Sequence, residues 1–521
     1  MATKEYAVIV KKGINLEEVD NELSREGGDS SCIPERPVEV ANPRTGSKRM
    51  THWYLTDEEA QTLANDTRIE AVEIPPDQRT DIQIGKRASQ AGDFRKPEGL
   101  ASAYINWGLR RCIESTNVYS NSLTATGDYE YAIDGTGVDV VIQDSGIQAD
   151  HPDFNNYDGV SRVRQIDWYT ESGLPGAQNA NFYSDTDGHG THCAGIVAGL
   201  TYGWAKNADI YAQKLAGLEG PGQSGQGISI ADCFDAIRLW HAAKTNGRPT
   251  VVNMSWGYFS QVGGNPASGT YRGTPWVFGV DYANDNDLWT GVGVVPPLGA
   301  SRFLPARVAS VDAEVDDLIA AGVHVFIAAG NDYYKGDVST GTDYNNSVVF
   351  GAQSFNYHRG SSPHSDEAFI VGNIDTDVQF DGANYLDKTA ESSSRGPRVN
   401  MWAPGTNIAS TCSTASVYAT ANYPGNANFR IANISGTSFA APNVCGVAAL
   451  HLQSQPNLTP AQLKAKMEAD ALGVMFTTGN DADYASFSTS LLGASRGVLF
   501  SRYGRQPFNL TGSSTINLSG S

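Results

Sequence analysis

Over the first 77 residues, apolar and polar positions alternate in short runs, fall into helical spacing, and then alternate again. Tyr6 to Val10 predicts a strand, and Leu16, Val19 and Leu23 recur as one face of a helix. Thr51 to Leu55 predicts a second strand. It leads into Thr56-Asp-Glu-Glu59, where Thr56 and Glu59 form a capping box that satisfies two backbone donors at the start of a helix running to about Asn65. Ile69 to Ile74 predicts a last strand, stopped by Pro75-Pro76. A small α+β domain over residues 1–77 follows from this pattern. From 78 to 100 large apolar residues become scarce, which predicts an exposed linker.

Beyond residue 101 the pattern changes to apolar runs alternating with helical stripes, the signature of an α/β fold with a parallel sheet and helical layers on both faces. Val138 to Ile142 reads as a buried strand. Ser229 caps a helix with Ile230, Phe234, Ile237 and His241 on one side; Gly247 ends it and Thr250 to Met254 is the next strand. Val308, Val311, Val315 and Leu318 form another stripe, which Gly322 stops before the strand Val323 to Ala328. Thr459, Pro460 and Gln462 start a helix that runs to about Ala471. The large domain is expected over 101–502, with a polar tail over 503–521.

The chain has 521 residues, with 37 Lys+Arg against 57 Asp+Glu and a net charge of −20. Such a balance excludes a nucleic-acid binder that works by neutralising phosphates. The apolar run at the N-terminus is too short for a signal-peptide core, and no stretch approaches the roughly 20 apolar residues of a membrane span. No membrane partner is expected, and the expected compartment is cytoplasmic or intracellular, with a virus particle as the other setting. Cys32, Cys112, Cys193, Cys233, Cys412 and Cys445 are scattered along the chain and read as reduced thiols rather than a disulfide framework.

The segment DTDGHGTHCAG, 185–195, holds His189 and His192 three apart. Zinc-protease helices carry His-Glu-x-x-His, and no nearby Glu or Cys completes a ligand set, so zinc is the weaker reading. The stronger one makes His189 a general base and His192 a structural residue. Ligands in open α/β sheets bind beyond the carboxyl ends of the strands. There the chain places Asp144 after the 138–142 strand, Asn331 after the 323–328 strand, and Ser438 at the start of the apolar helix that follows Ile434-Ser-Gly-Thr-Ser438. A serine hydroxyl needs a base to become nucleophilic, which His189 can supply; Asp144 can steady the imidazolium, and Asn331 with the Ser438 N–H can bind an oxyanion.

VVIQDSGI around Asp144, GHGTHCAG around His189, NMSWG at 253–257, AAGN at 328–331, APGTNI at 403–408 and SGTSFAAP at 435–442 together resemble the signature blocks of subtilisin-like serine proteases, and Cys193 after His192 is similar to the proteinase K branch. The order Asp, His, Ser also matches that family. The resemblance implies a subtilisin-like catalytic domain and an N-terminal unit similar to a subtilisin propeptide, which would be a partner of its own catalytic domain. It implies a serine endopeptidase acting on protein or peptide substrates through an acyl-enzyme, made as a zymogen that cleaves itself between Asp77 and Ala101. The alternatives are a catalytically silent structural or assembly protein on the same fold, and an acid-acting sedolisin, against which His189 and Asn331 argue.

By the same resemblance Ser255, Trp256, Gly257, Ala328, Ala329 and Gly330 line the substrate, with Trp256 bulkier than the family pattern. The gap from Gly257 to Asn331, 331 − 257 = 74 positions, holds an aromatic-rich insertion at 258–304 expected to fold and to border the cleft. No cofactor is required for the chemistry. Structural calcium is left open and unassigned: the loop from Asp332 to Asp343 is acidic, but Asn400 stands where the proteinase K branch has a calcium-binding aspartate.

Overall fold

The computed structural model describes residues 3–25, 36–44, 47–75, 78, 88–96, 99–156, 158–478 and 484–504. The chain divides into two units, Met1–Ile84 and Gly85–Ser521. Residues 77, 79–87 and 97–98 of the expected processing stretch, the tail beyond residue 504 and Cys32 lie outside the described residues.

In the first unit an antiparallel sheet runs in the order Val40–Asn42, Met50–Leu55, Lys4–Val10, Ile69–Glu73. The alternation read in the sequence puts Tyr6, Val8, Val10, Trp53 and Leu55 into one core with Val19 and Leu23 of the helix Leu16–Ser24. The helix Asp57–Ala64 starts in the expected capping box: Glu59 N donates to Thr56 Oγ1 at 3.2 Å and Thr56 N to Glu59 Oε2 at 2.8 Å.

The second unit is built on an eight-stranded sheet. From one edge its strands run Val163–Arg164, Asp209–Lys214, Asp139–Asp144, Thr250–Met254, His324–Ala328 and Phe369–Phe380, which also pairs with Met401–Pro404. All these pairings are parallel; only Tyr385–Thr389 joins antiparallel. From the Asp139–Asp144 strand the chain passes to the edge strand Val163–Arg164, returns through the helix His189–Ala198 to Asp209–Lys214, and then builds toward the opposite edge through Ile230–Ala243 and Ala309–Ala320. The helix Thr437–Ser454 packs with His189–Ala198, and Ile230–Ala243 packs with Ala309–Ala320, giving three layers. Strand order reverses between Asp139–Asp144 and Thr250–Met254, so the crevice of the fold opens at their carboxyl ends.

Residues 88–96 depart from the expected linker. Ala88–Gln90 pairs with Tyr129–Tyr131, Phe94 is buried with its carbonyl accepting from Tyr119 Oη at 2.6 Å, and Lys96 is buried with Nζ on Thr376 O at 2.7 Å. The Lys96 ammonium also lies 4.7 Å from the ring centre of Trp107 and 4.8 Å from that of Tyr119. One phenylalanine and one lysine stem thus anchor a stretch with no periodic apolar signal.

The 258–304 insertion is folded. Phe259–Gly263 pairs with Ser301–Pro305, and Ser268–Tyr271 pairs with Thr274–Val277 and with Ser347–Phe350 from beyond the insertion. Its core joins Trp276, Leu288 and Val292 to Tyr334, Val348 and Tyr357.

Candidate active site

Asp144 ends its strand at the reversal point and is buried, and its Oδ1 accepts from Ser145 N at 2.7 Å. His189 opens the helix His189–Ala198, with Nδ1 2.8 Å from Asp144 Oδ1 and 3.0 Å from Oδ2. Burial alone would lower the pKa of this imidazole, but the carboxylate of Asp144 outweighs it and raises the pKa well above its ordinary value.

The helix start is placed by Asp185, which the sequence reading quoted without assigning. Its Oδ1 accepts from Ser145 Oγ at 3.0 Å, Asp187 N at 3.1 Å and Gly188 N at 2.8 Å; its Oδ2 accepts from Thr191 N at 2.9 Å. The signal was present, since an aspartate just before a helix is a common acceptor for its free N–H groups. Gly190 brings this turn against the end of the Asp144 strand, where a Cβ would stand 2.2 Å from Gly146 O. His192 points the other way, with Nε2 donating to Ile408 O at 3.0 Å. Burial pushes its pKa down to about 3, so it is neutral and structural.

Ser438 is the second residue of the helix Thr437–Ser454. Pro442 has no N–H to give to the Ser438 carbonyl four residues earlier, and that oxygen instead accepts from Ser255 Oγ at 2.8 Å and Cys193 Sγ at 3.4 Å. The helix start is thereby pinned to the end of the Thr250–Met254 strand. Ser438 Oγ donates to Ser255 O at 3.1 Å, so its bond to His189 is not formed in this resting arrangement. Apo active sites commonly hold such bonds open until substrate arrives. Among the described residues the Ser438 N–H has no partner, and the positive end of the helix dipole lies behind it.

Asn331 is fixed from one side only. Its Oδ1 accepts from Thr437 N at 2.8 Å and Thr437 Oγ1 at 3.0 Å, while Nδ2 has no bond among the described residues. Both N–H groups of that amide are therefore without a partner among the described residues.

Ser255, Trp256 and Gly257 separate two pockets. One, of about 400 Å³, also holds Asp144, His189 and Leu218; the other, of about 230 Å³, holds Ala328, Gly330, Asn331 and Ser438. Ala329 lines neither and donates its N–H to Val371 O at 3.0 Å. Trp256 lines both pockets, with Nε1 on Gln143 Oε1 at 3.2 Å and its ring edge-on to Tyr258. Asp332 lines the smaller pocket and was missed as a cleft residue; burial raises its carboxyl to about 6.

Asp144, His189 and Cys193 offer one metal-ligating atom each within 4.8 Å of one another, but the imidazole Nδ1 is held by Asp144 and burial raises the Cys193 thiol. Asp343 is taken by Lys335 at 2.8 Å and by Arg272, which hold its carboxyl well below the usual range against the upward push of burial. Asn400 spends its amide on Ile370 N and Ala368 O.

A parallel α/β sheet with a serine, a histidine and an aspartate gathered at its reversal point defines a class of nucleophilic hydrolase sites. Residues 135–496 match the Subtilase family (Peptidase_S8), and the chain belongs to it. It is 27% identical over 415 residues to a subtilisin-like serine protease of Cochliobolus lunatus, covering 78% of this chain and 62% of that protein. It is also 27% identical over 399 residues to an extracellular serine proteinase of Thermus sp. (strain Rt41A), covering 76% of this chain and 69% of that protein. The crystal structure of a cold-adapted subtilisin-like serine proteinase aligns with a TM-score of 0.47 at 22% identity, covering 76% of this chain and 98% of that one.

Proposed function

We propose that the chain is a serine endopeptidase made as a self-processing zymogen. The observation that carries this reading is the bonded Asp144–His189 pair facing a helix start that presents Ser438, with the free amide of Asn331 beside it. A peptide bound in extended form pairs with the main chain at Ser255 to Gly257 as an added strand. Ser438 Oγ swings from Ser255 O to the Nε2 of His189, gives up its proton and attacks the substrate carbonyl carbon. The oxyanion of the tetrahedral intermediate receives Asn331 Nδ2 and Ser438 N–H. His189 then protonates the departing amine as the C–N bond breaks, and water hydrolyses the acyl-enzyme with the same base.

In this reading the first unit is the inhibitory propeptide. The cut lies between 77 and 88: Ile69–Glu73 closes the first unit's sheet, whereas Ala88–Gln90 is already paired within the second unit. The working compartment is intracellular, in keeping with five described cysteines that are all free and buried. The test is hydrolysis of a denatured protein substrate. Activity in the wild type that vanishes in both Ser438→Ala and His189→Ala supports the reading, and activity surviving in either variant contradicts it.

A further inference from the structure

A second cavity, of about 540 Å³, adjoins the cleft and is built from parts of the chain that the triad does not use. The insertion contributes Trp289 and Phe303, the segment Tyr484–Thr489 contributes Tyr484 and Phe487, and Asp332 and Glu391 bring two carboxylates. Asn331 and Asp332 line both this cavity and the pocket beside Ser438, so the two spaces are neighbours.

The aromatic set is braced before any ligand arrives. Trp289 lies edge-on to Tyr484 at 5.3 Å and to Phe487 at 4.8 Å between ring centres. The hydroxyl of Tyr484 is bonded to the buried His358. The buried guanidinium of Arg395 stacks 3.7 Å from the Phe487 ring centre and donates to Glu391 O at 3.0 Å and Ser490 O at 3.1 Å, tying the loop of Glu391 to the aromatic segment. Tyr333, on the same rim, is held at a φ of +63°, a conformation a bulky residue keeps only when its surroundings impose it.

The charges are not matched from within. Among the described residues neither the Asp332 nor the Glu391 carboxylate forms an ion pair, whereas nearby Asp343 takes both Lys335 and Arg272. Arg395, the cation acting on Glu391, spends its donors on main-chain carbonyls. An apolar occupant would desolvate two carboxylates without compensation. A planar guanidinium instead stacks on aromatic faces and meets a carboxylate with two parallel N–H groups.

We propose that this cavity is a recognition site for an arginine side chain of the substrate, which stacks on the Trp289 ring and meets the carboxylates of Asp332 and Glu391. The inference rests on the endopeptidase reading for the nature of its ligand, and its test is separable from that reading. The wild-type protein as purified is titrated with N-acetyl-arginine methylamide and with its neutral citrulline analogue, followed by ligand-observed NMR. The arginine compound binds about tenfold tighter, the sum of a stacked cation and a charge pair, and Glu391→Gln and Trp289→Ala each erase most of that ratio. Equal binding of the two compounds, or a preference unchanged in both variants, overturns the proposal. A parallel peptide-cleavage scan separates the two ideas: cleavage without arginine preference leaves the endopeptidase and removes the cavity's role, while selective binding without cleavage does the reverse.

Discussion

Thr437 clamps Asn331: its main-chain N–H and its hydroxyl both donate to Asn331 Oδ1, at 2.8 and 3.0 Å. Because the acceptor end of the amide is used twice, the donor end is left for the oxyanion of the proposed reaction. Asn331→Ala should lower kcat by about 10²–10³ with KM little changed, as expected for a donor that acts only on the oxyanion. Thr437→Val keeps the main-chain bond and removes the hydroxyl, so its kcat should fall by only about tenfold. Steady-state kinetics on one peptide checks both, and a rise in KM at constant kcat would assign Asn331 to substrate binding instead.

The pH dependence follows from the Asp144–His189 pair. Only neutral His189 can accept the Ser438 proton, and its pKa is raised by Asp144. Activity is therefore lost as pH falls through that raised value, and the acid limb of kcat/KM should have its midpoint above about 6.5, the ordinary value for histidine. An optimum in the acid range would point to a carboxylate base.

Asp185 holds the His189 turn by accepting from Gly188 N, Thr191 N and Ser145 Oγ while itself buried. Asp185→Ala leaves several donors without partners and should cost about 2–4 kcal/mol in urea unfolding together with most of the activity. Asp185→Asn keeps one acceptor oxygen and should lose less on both counts. Equal stability of the wild type and Asp185→Ala would remove Asp185 from this account.

What the sequence made legible was local or linear. The capping boxes at Thr56 and Thr459, the stripe of Val311, Val315 and Leu318, and the motif blocks around Asp144, His189 and Ser438 each lie within a few residues, and each element forms where the pattern placed it. The bonds that aim the site are long-range. Asn331 meets Thr437 across 106 positions and Ser255 meets Ser438 across 183. Burial of Phe94 and Lys96 was hidden for the same reason, since neither belongs to a periodic pattern. The insertion's aromatic residues announced a folded segment, but its partners at 347–355 and 484–489 carry no motif that links them to it.

The most direct test of the central claim is intact-mass analysis of wild-type and Ser438→Ala proteins, with and without a serine-directed fluorophosphonate. The account predicts a wild type that has lost its first unit, with a new N-terminus between 77 and 88, and that gains a single adduct, beside a Ser438→Ala protein that stays full length and unlabelled. A wild type that remains uncut and unlabelled, or a Ser438→Ala protein that is cut and labelled like it, would contradict the assignment of Ser438 as the nucleophile.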